Sequence, residues 1–188
     1  MAQYYYTVAS LPLLFLDTEQ FPKIEGFLAS VQEAAPKGDF AIISSATLYP
    51  SKNPLHPIIE KWWQFESSLR NELVKLRASR LSVDGAPYLV NTVPPYNLID
   101  LINLAREAFL EESPLVAEGI LDRGRWTYLD ELEFGHYFDL EKLIVYYLKL
   151  QILERNALFR RERGLESMQK TYDGILTYDG FLKPVQSI

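Results

Sequence analysis

The sequence predicts an all-α protein, mainly a helical bundle. One short segment near 40–48 is left open between a helical turn and a strand or irregular stretch, because periodicity does not separate them there. Three observations predict this class. Apolar residues recur at i, i+3, i+4 and i+7 through several long stretches. Glycine is scarce, 9 in 188 residues, and prolines fall at the edges of those stretches. The connections between them are short and polar, which favours antiparallel neighbours. Hydrophobic residues make up 48% of the chain, enough for an ordinary core without disulfides or metals. A single helical domain is expected over 1–170, followed by a tail over 171–188.

Tyr4 to Leu11 reads as a short helix or extended arm ended by Pro12. Thr18 is placed to cap a helix reaching about Ala34, with Phe21, Ile24, Phe27, Leu28 and Val31 on its inner face. Pro36-Lys37-Gly38 is expected to stop it, and Phe40 to Leu48 is the undecided apolar run. Pro54 and Pro57 open a long helix to about Leu81. Ile58, Trp62, Phe65, Leu69, Leu73 and Leu76 line its core side, while Glu60, Lys61, Glu66, Arg70, Glu72 and Lys75 fall mostly on the other faces. Val83 to Pro95 is a linker. A helix follows over roughly Tyr96 to Glu112, with Leu98, Leu101, Ile102, Ala105 and Phe109 inward.

Ser113-Pro114 is an N-cap followed by proline at the first helical position, so another helix starts there and stops at Gly135. Asp139 caps the last long helix, which is expected to reach Arg163 and end at Gly164. The neighbours Trp62-Trp63 and Tyr146-Tyr147 point about 100° apart on their helices. Such pairs suit helices covered on two sides. The tail repeats Thr-Tyr-Asp-Gly at 171–174 and 177–180, a pattern of turns that pack back on the bundle or order on a partner.

The chain carries 25 acidic residues, 19 basic residues and 2 histidines, for a net charge of −6. Asp100 to Asp139 holds ten acids against three bases, whereas Lys142 to Arg163 is dominated by bases. The two segments can pair with each other or meet a partner. With no cysteine, thiol catalysis, disulfides and thiolate metal sites are excluded. No phosphate-binding loop, dinucleotide-binding glycine pattern or nucleophile elbow occurs. ATP hydrolysis by this chain is therefore not expected, and no cofactor is. The acidic field around Arg123, Arg125, Trp126 and Tyr128 argues against a nucleic-acid partner. The uncharged Met1–Leu16 stretch lacks a basic start and is interrupted by Pro12, which argues against a signal peptide. No run approaches the ~20 apolar residues of a membrane span. A soluble cytoplasmic protein is expected.

The densest polar cluster is Asp130 to Asp139. Glu133 and His136 have the Glu-x-x-His spacing that puts a carboxylate and an imidazole on one helical face. Only one copy is present, and Gly135 is expected to break the helix inside it. His136 and its carboxylates are accordingly read as helix-end caps rather than metal ligands. The other histidine, His56, would have to meet His136 for a two-histidine site, and nothing in the sequence requires it. Arg123 is placed to reach the neighbours of Asp122, or Glu118 across a turn, while Trp126 and Leu129 pack inward. The candidate interaction residues are Arg123, Arg125, Trp126, Glu131, Glu133, His136 and Tyr137. A metal- or small-ligand-binding enzyme built on Glu131, Glu133 and His136 is the rival reading, and a homo-oligomeric scaffold is a third.

Two stretches carry a family resemblance. Tyr4-Tyr5-Tyr6-Thr7-Val8-Ala9-Ser10-Leu11-Pro12 and Ser113 through Glu141, continuing into Tyr147 through Arg155, resemble an uncharacterised family encoded among bacterial V-type ATP synthase genes. A weaker similarity is carried by the Tyr-rich start, Leu121-Asp122-Arg123 with Trp126 and Tyr128-Leu129, and the long last helix. These features resemble the rotor-cap family of V-type ATPases, the C (or d) type. Those helical proteins cap the rotor ring and socket the central stalk. This chain is much shorter and lacks three repeats of a helical unit. The resemblance implies a non-catalytic accessory, assembly or central-stalk component, with V-type ATPase subunits as partners, peripheral to the membrane complex. It implies no catalytic residues.

Overall fold

Helical periodicity becomes seven α-helices, with no strand among the described residues. The computed structural model describes residues 4–49, 53–93, 98–159, 164, 168 and 169. The helices are α1 (Tyr5–Ser10), α2 (Ile24–Ala34), α3 (Lys37–Ser45), α4 (Pro57–Leu81), α5 (Leu98–Leu110), α6 (Pro114–Glu133) and α7 (Leu140–Phe159). The chain divides into two units, Met1–Glu154 and Arg155–Ile188, and the buried core belongs to the first. The Thr-Tyr-Asp-Gly tail and the expected helix end at Arg163 lie outside the described residues.

Three local expectations change. Thr18 does not cap α2; Lys23 holds that position. Pro22 keeps the residue before it out of the helical region, so the helix starts only beyond it. Pro36-Lys37-Gly38 ends α2 but also begins α3, with Pro36 at the N-cap and Asp39 in the first turn. The open segment near 40–48 is therefore helical through Ser45 and extended at Ala46. Val83 to Val93 is not plain linker, because Ala86–Tyr88 forms one 3-10 turn.

The helix starts follow local chemistry. Pro57 and Pro114 sit in the first turns of α4 and α6, where a missing N–H costs nothing. His56 caps α4, its Nδ1 accepting from the Ile58 N–H at 3.3 Å. Ser113 occupies the N-cap of α6 without a side-chain hydrogen bond. Asp139 caps α7, its Oδ1 accepting from the Lys142 N–H at 3.1 Å. Between α6 and α7, Gly135 takes φ +87°, a conformation that glycine adopts without Cβ strain.

α7 is the central element. Every residue from Leu143 to Leu150 is buried, so this helix is covered all round. Leu143, Ile144, Leu148, Leu150, Ile152 and Leu153 are almost wholly enclosed. Each such side chain contributes about 1.5–3 kcal/mol relative to an exposed one. The N-terminal segments wrap this helix. Phe27 stacks near Tyr147 with ring centroids 5.8 Å apart, and the Tyr146 hydroxyl donates to the Pro12 carbonyl at 3.1 Å. Gln151 receives the Leu48 N–H at 3.2 Å and donates to the Ala46 carbonyl at 2.9 Å. α4 packs against both α5 and α6. α5 and α6 approach so closely at Gly124 that a Cβ there would lie 2.1 Å from Leu104 Cδ2.

Candidate functional site

The α6–α7 turn gathers most of the residues singled out by sequence, but it sorts them into different environments. Glu131 and Arg123 are exposed. Tyr137 is exposed, at 68%. Trp126 is buried, as expected. Arg125 is buried as well, at 5% exposure, and so offers no surface. It is Arg125, rather than Arg123, that takes Glu118, by a 2.8 Å ion pair from Nη1.

Arg125 belongs to an enclosed charge cluster whose members the sequence assigns to separate surfaces. Glu66, expected on an outer face of α4, is 1% exposed. It receives Arg125 through two parallel bonds, Nε to Oε2 at 2.9 Å and Nη2 to Oε1 at 3.1 Å. Asp122 accepts from Nη1 at 2.8 Å, and Arg70 donates to Glu66 Oε1 at 2.8 Å. Burial alone would lower the guanidinium pKa, but the charge of Glu66, its hydrogen bonds, and then Glu118 and Asp122 raise it further above its usual value. The arrangement is a structural clasp between α4 and α6, with the Arg125 guanidinium committed inside the protein.

Glu133 also faces inward across the turn. It accepts hydrogen bonds from Lys142 and Lys149 of α7. Lys149 is 2.7 Å from Asp130 and lies over the Trp126 ring, 5.4 Å from its centroid. Burial would raise the Glu133 carboxyl, but the two lysines outweigh it and hold it below the usual carboxylate range. The acidic middle of the chain thus does pair with lysines of the last helix. The Glu-x-x-His spacing does not survive as a ligand pair, since Glu133 ends α6 and Gly135 intervenes.

Two concavities flank the turn. One is a cleft of about 560 Å³ whose lining includes His56, Lys61, Tyr128, Glu131, His136 and Glu141. Both histidines of the chain therefore reach one cleft, which the sequence did not require. His56 Nε2 lies 3.5 Å from Glu141 Oε1, and His136 Nδ1 lies 2.6 Å from Asp139 Oδ2. One donor atom from each of His136, Asp139 and Glu141 falls within 4.8 Å of the others. Among the described residues these are the side chains grouped well enough to hold a metal ion.

The other concavity is an apolar groove of about 280 Å³, lined among others by Val8, Leu11, Leu13, Tyr137, Phe138 and Tyr146. Its rim is aromatic. Tyr5 meets Phe138 with centroids 4.6 Å apart, and Tyr5 meets Tyr6 edge-on at 5.8 Å. The Tyr4 N–H donates to the Phe138 carbonyl at 2.7 Å, which seats the arm against the turn. The Tyr4 hydroxyl donates to Asp39. Tyr6 is nonetheless 89% exposed and Phe134 87%.

The fold and these two concavities describe an all-α protein whose strongest polar groups serve its own packing. The family described as "Protein of unknown function (DUF2764)" matches residues 51–175, and the chain belongs to that family. No curated protein and no solved structure matches it. No helix among the described residues is long and apolar enough to cross a membrane.

Proposed function

We propose that this protein is a non-catalytic accessory, assembly or central-stalk component of a bacterial V-type ATPase, acting by protein–protein contact. The observation that carries the contact role is the aromatic ledge formed by Tyr5, Tyr6, Tyr137 and Phe138 around the apolar groove. Exposed aromatics in one patch are typical of residues that anchor a partner. The ATPase assignment rests on the resemblance of Tyr4–Pro12 and Ser113–Glu141 to the family encoded beside V-type ATP synthase genes. Both stretches contribute to that ledge.

The test is affinity capture from native membranes at low salt. Wild-type protein should recover V-type ATPase subunits, and Tyr6→Ser with Tyr137→Ser should reduce that recovery at least about tenfold, as loss of two interface aromatics does. Both side chains are exposed, so the variant should keep its helical content. Recovery of no ATPase subunit by the wild type would overturn the assignment. Self-association in sedimentation, unchanged by added stalk subunits, would favour the scaffold reading instead.

A further inference from the structure

We propose that the cleft beside the α6–α7 turn is a binding site for a zinc-class divalent cation, with His136, Asp139 and Glu141 as ligands and His56 positioning Glu141. This site is independent of the contact role and concerns a different face of the turn.

The first support is convergence. The chain has two histidines, 80 positions apart, and both line this cleft. The second is geometry. Ligand atoms bound at about 2.0–2.2 Å in a tetrahedral site are about 3.3 Å apart. The donors of His136, Asp139 and Glu141 already lie within 4.8 Å of one another, so closing on an ion needs side-chain movement of roughly an ångström each. A cation entering between His136 Nδ1 and Asp139 Oδ2, now 2.6 Å apart, replaces their hydrogen bond and widens that contact, with the neutral imidazole carrying its proton on Nε2 instead.

The third support is that the ligands are already oriented. Asp139 is held by the Lys142 N–H at the start of α7. His56 Nδ1 accepts from the Ile58 N–H, so the neutral ring carries its proton on Nε2. That nitrogen faces Glu141 Oε1 at 3.5 Å. His56 thus lies beside a ligating carboxylate, within reach of it, rather than among the ligands, and an outer polar partner of that kind orients a metal ligand. The side chains of His56 and Glu141 are 18% and 20% exposed, which separates them from solvated surface acids.

The donor set names the cation class. One imidazole with two carboxylates, and no thiolate, suits zinc and related first-row ions better than magnesium or calcium, which take oxygen alone. Three protein ligands leave a fourth position open to the cleft. The ligands lie on the connection after α6 and on the first turn of α7, so a bound ion would pin that connection.

The experiment is calorimetric titration of the chelator-stripped full chain, without a histidine tag, using Zn²⁺ alone and Mg²⁺ alone. One Zn²⁺ should bind per chain and raise the thermal midpoint, with a much weaker response to Mg²⁺. His136→Ala and Glu141→Gln should each lower Zn²⁺ affinity at least about a hundredfold. His56→Ala should lower it about tenfold, the effect of losing an orienting partner. Glu72→Gln, whose carboxylate pairs with Lys75 on α4 away from the cleft, should bind as the wild type does. Circular dichroism checks the helical content of each variant, and Glu141→Gln decides the question if His136→Ala misfolds. No Zn²⁺ binding by the wild type would overturn the proposal. So would unchanged binding in both ligand variants, or an equal response to Mg²⁺.

Discussion

Arg125 shows how much a single side chain can hold when it is enclosed. Its guanidinium bridges Glu66 of α4 to Glu118 and Asp122 of α6. Such a pair adds little over a well-packed apolar replacement, yet removing one partner leaves an uncompensated charge in the interior. Arg125→Met should therefore destabilise the protein by about 3–5 kcal/mol, measured by chemical denaturation. Pairing it with Glu66→Met should recover part of that loss, and a simple sum of the two single effects would refute the clasp. In the sequence Arg125 reads as an accessible cation because its neighbours in the chain are acidic. Glu66 carries no sequence mark of burial, since it lies off the apolar stripe of α4. It is enclosed because α5 and α6 cover more of α4 than one stripe accounts for.

At the scale of the element, the α6–α7 turn depends on Glu133 and its two lysines. The Glu133 pKa is depressed in the folded chain, so its contribution is present above the ordinary carboxylate pKa and is lost as pH falls through the folded value. Glu133→Gln should be less stable than the wild type at neutral pH, with the difference vanishing in acid. Thermal melts across an acid series check this, and a gap that persists at the acid end would refute it. Helix existence was legible here from proline, aspartate and glycine: Pro114 opens α6, Gly135 follows its end, and Asp139 caps α7. The start of α2 and the state of 40–48 were not legible. Pro22 and Pro36 act through backbone geometry that several local sequences share, and short apolar runs lack enough turns for a period to show.

Over the whole first unit, tyrosine hydroxyls link the N-terminal segments to the core. Burial pushes the Tyr146 phenol up to about 12, and burial also raises Tyr147, with Glu154 adding to it. Tyr4 is raised by burial first and by its bond to Asp39 second. A raised phenol contributes stability that is complete below the unfolded value near 10 and is lost as pH climbs through the folded one. The protein should lose stability between about pH 10 and about pH 12, the window set by Tyr146. Tyr146→Phe should flatten that loss while giving up the hydrogen bond to Pro12. Tyrosinate absorbance followed beside helical content checks it, and an unchanged alkaline profile would count against it.

Local signals were enough for the all-α class, most helix edges and the double burial of α7, because period, proline, capping residues and paired aromatics act within a few turns of chain. The resemblance at Tyr4–Pro12 and Ser113–Glu141 was also readable there, and the proposed ATPase role still leans on it. Which polar residues lie inside was settled by packing instead. Packing enclosed Glu66 with Arg125, turned Glu133 to Lys142 and Lys149, and brought His56 to the cleft of His136 and Glu141. Most of those meetings join positions far apart in the chain, and they follow from how the helices pack against one another, which a local pattern of side chains does not encode.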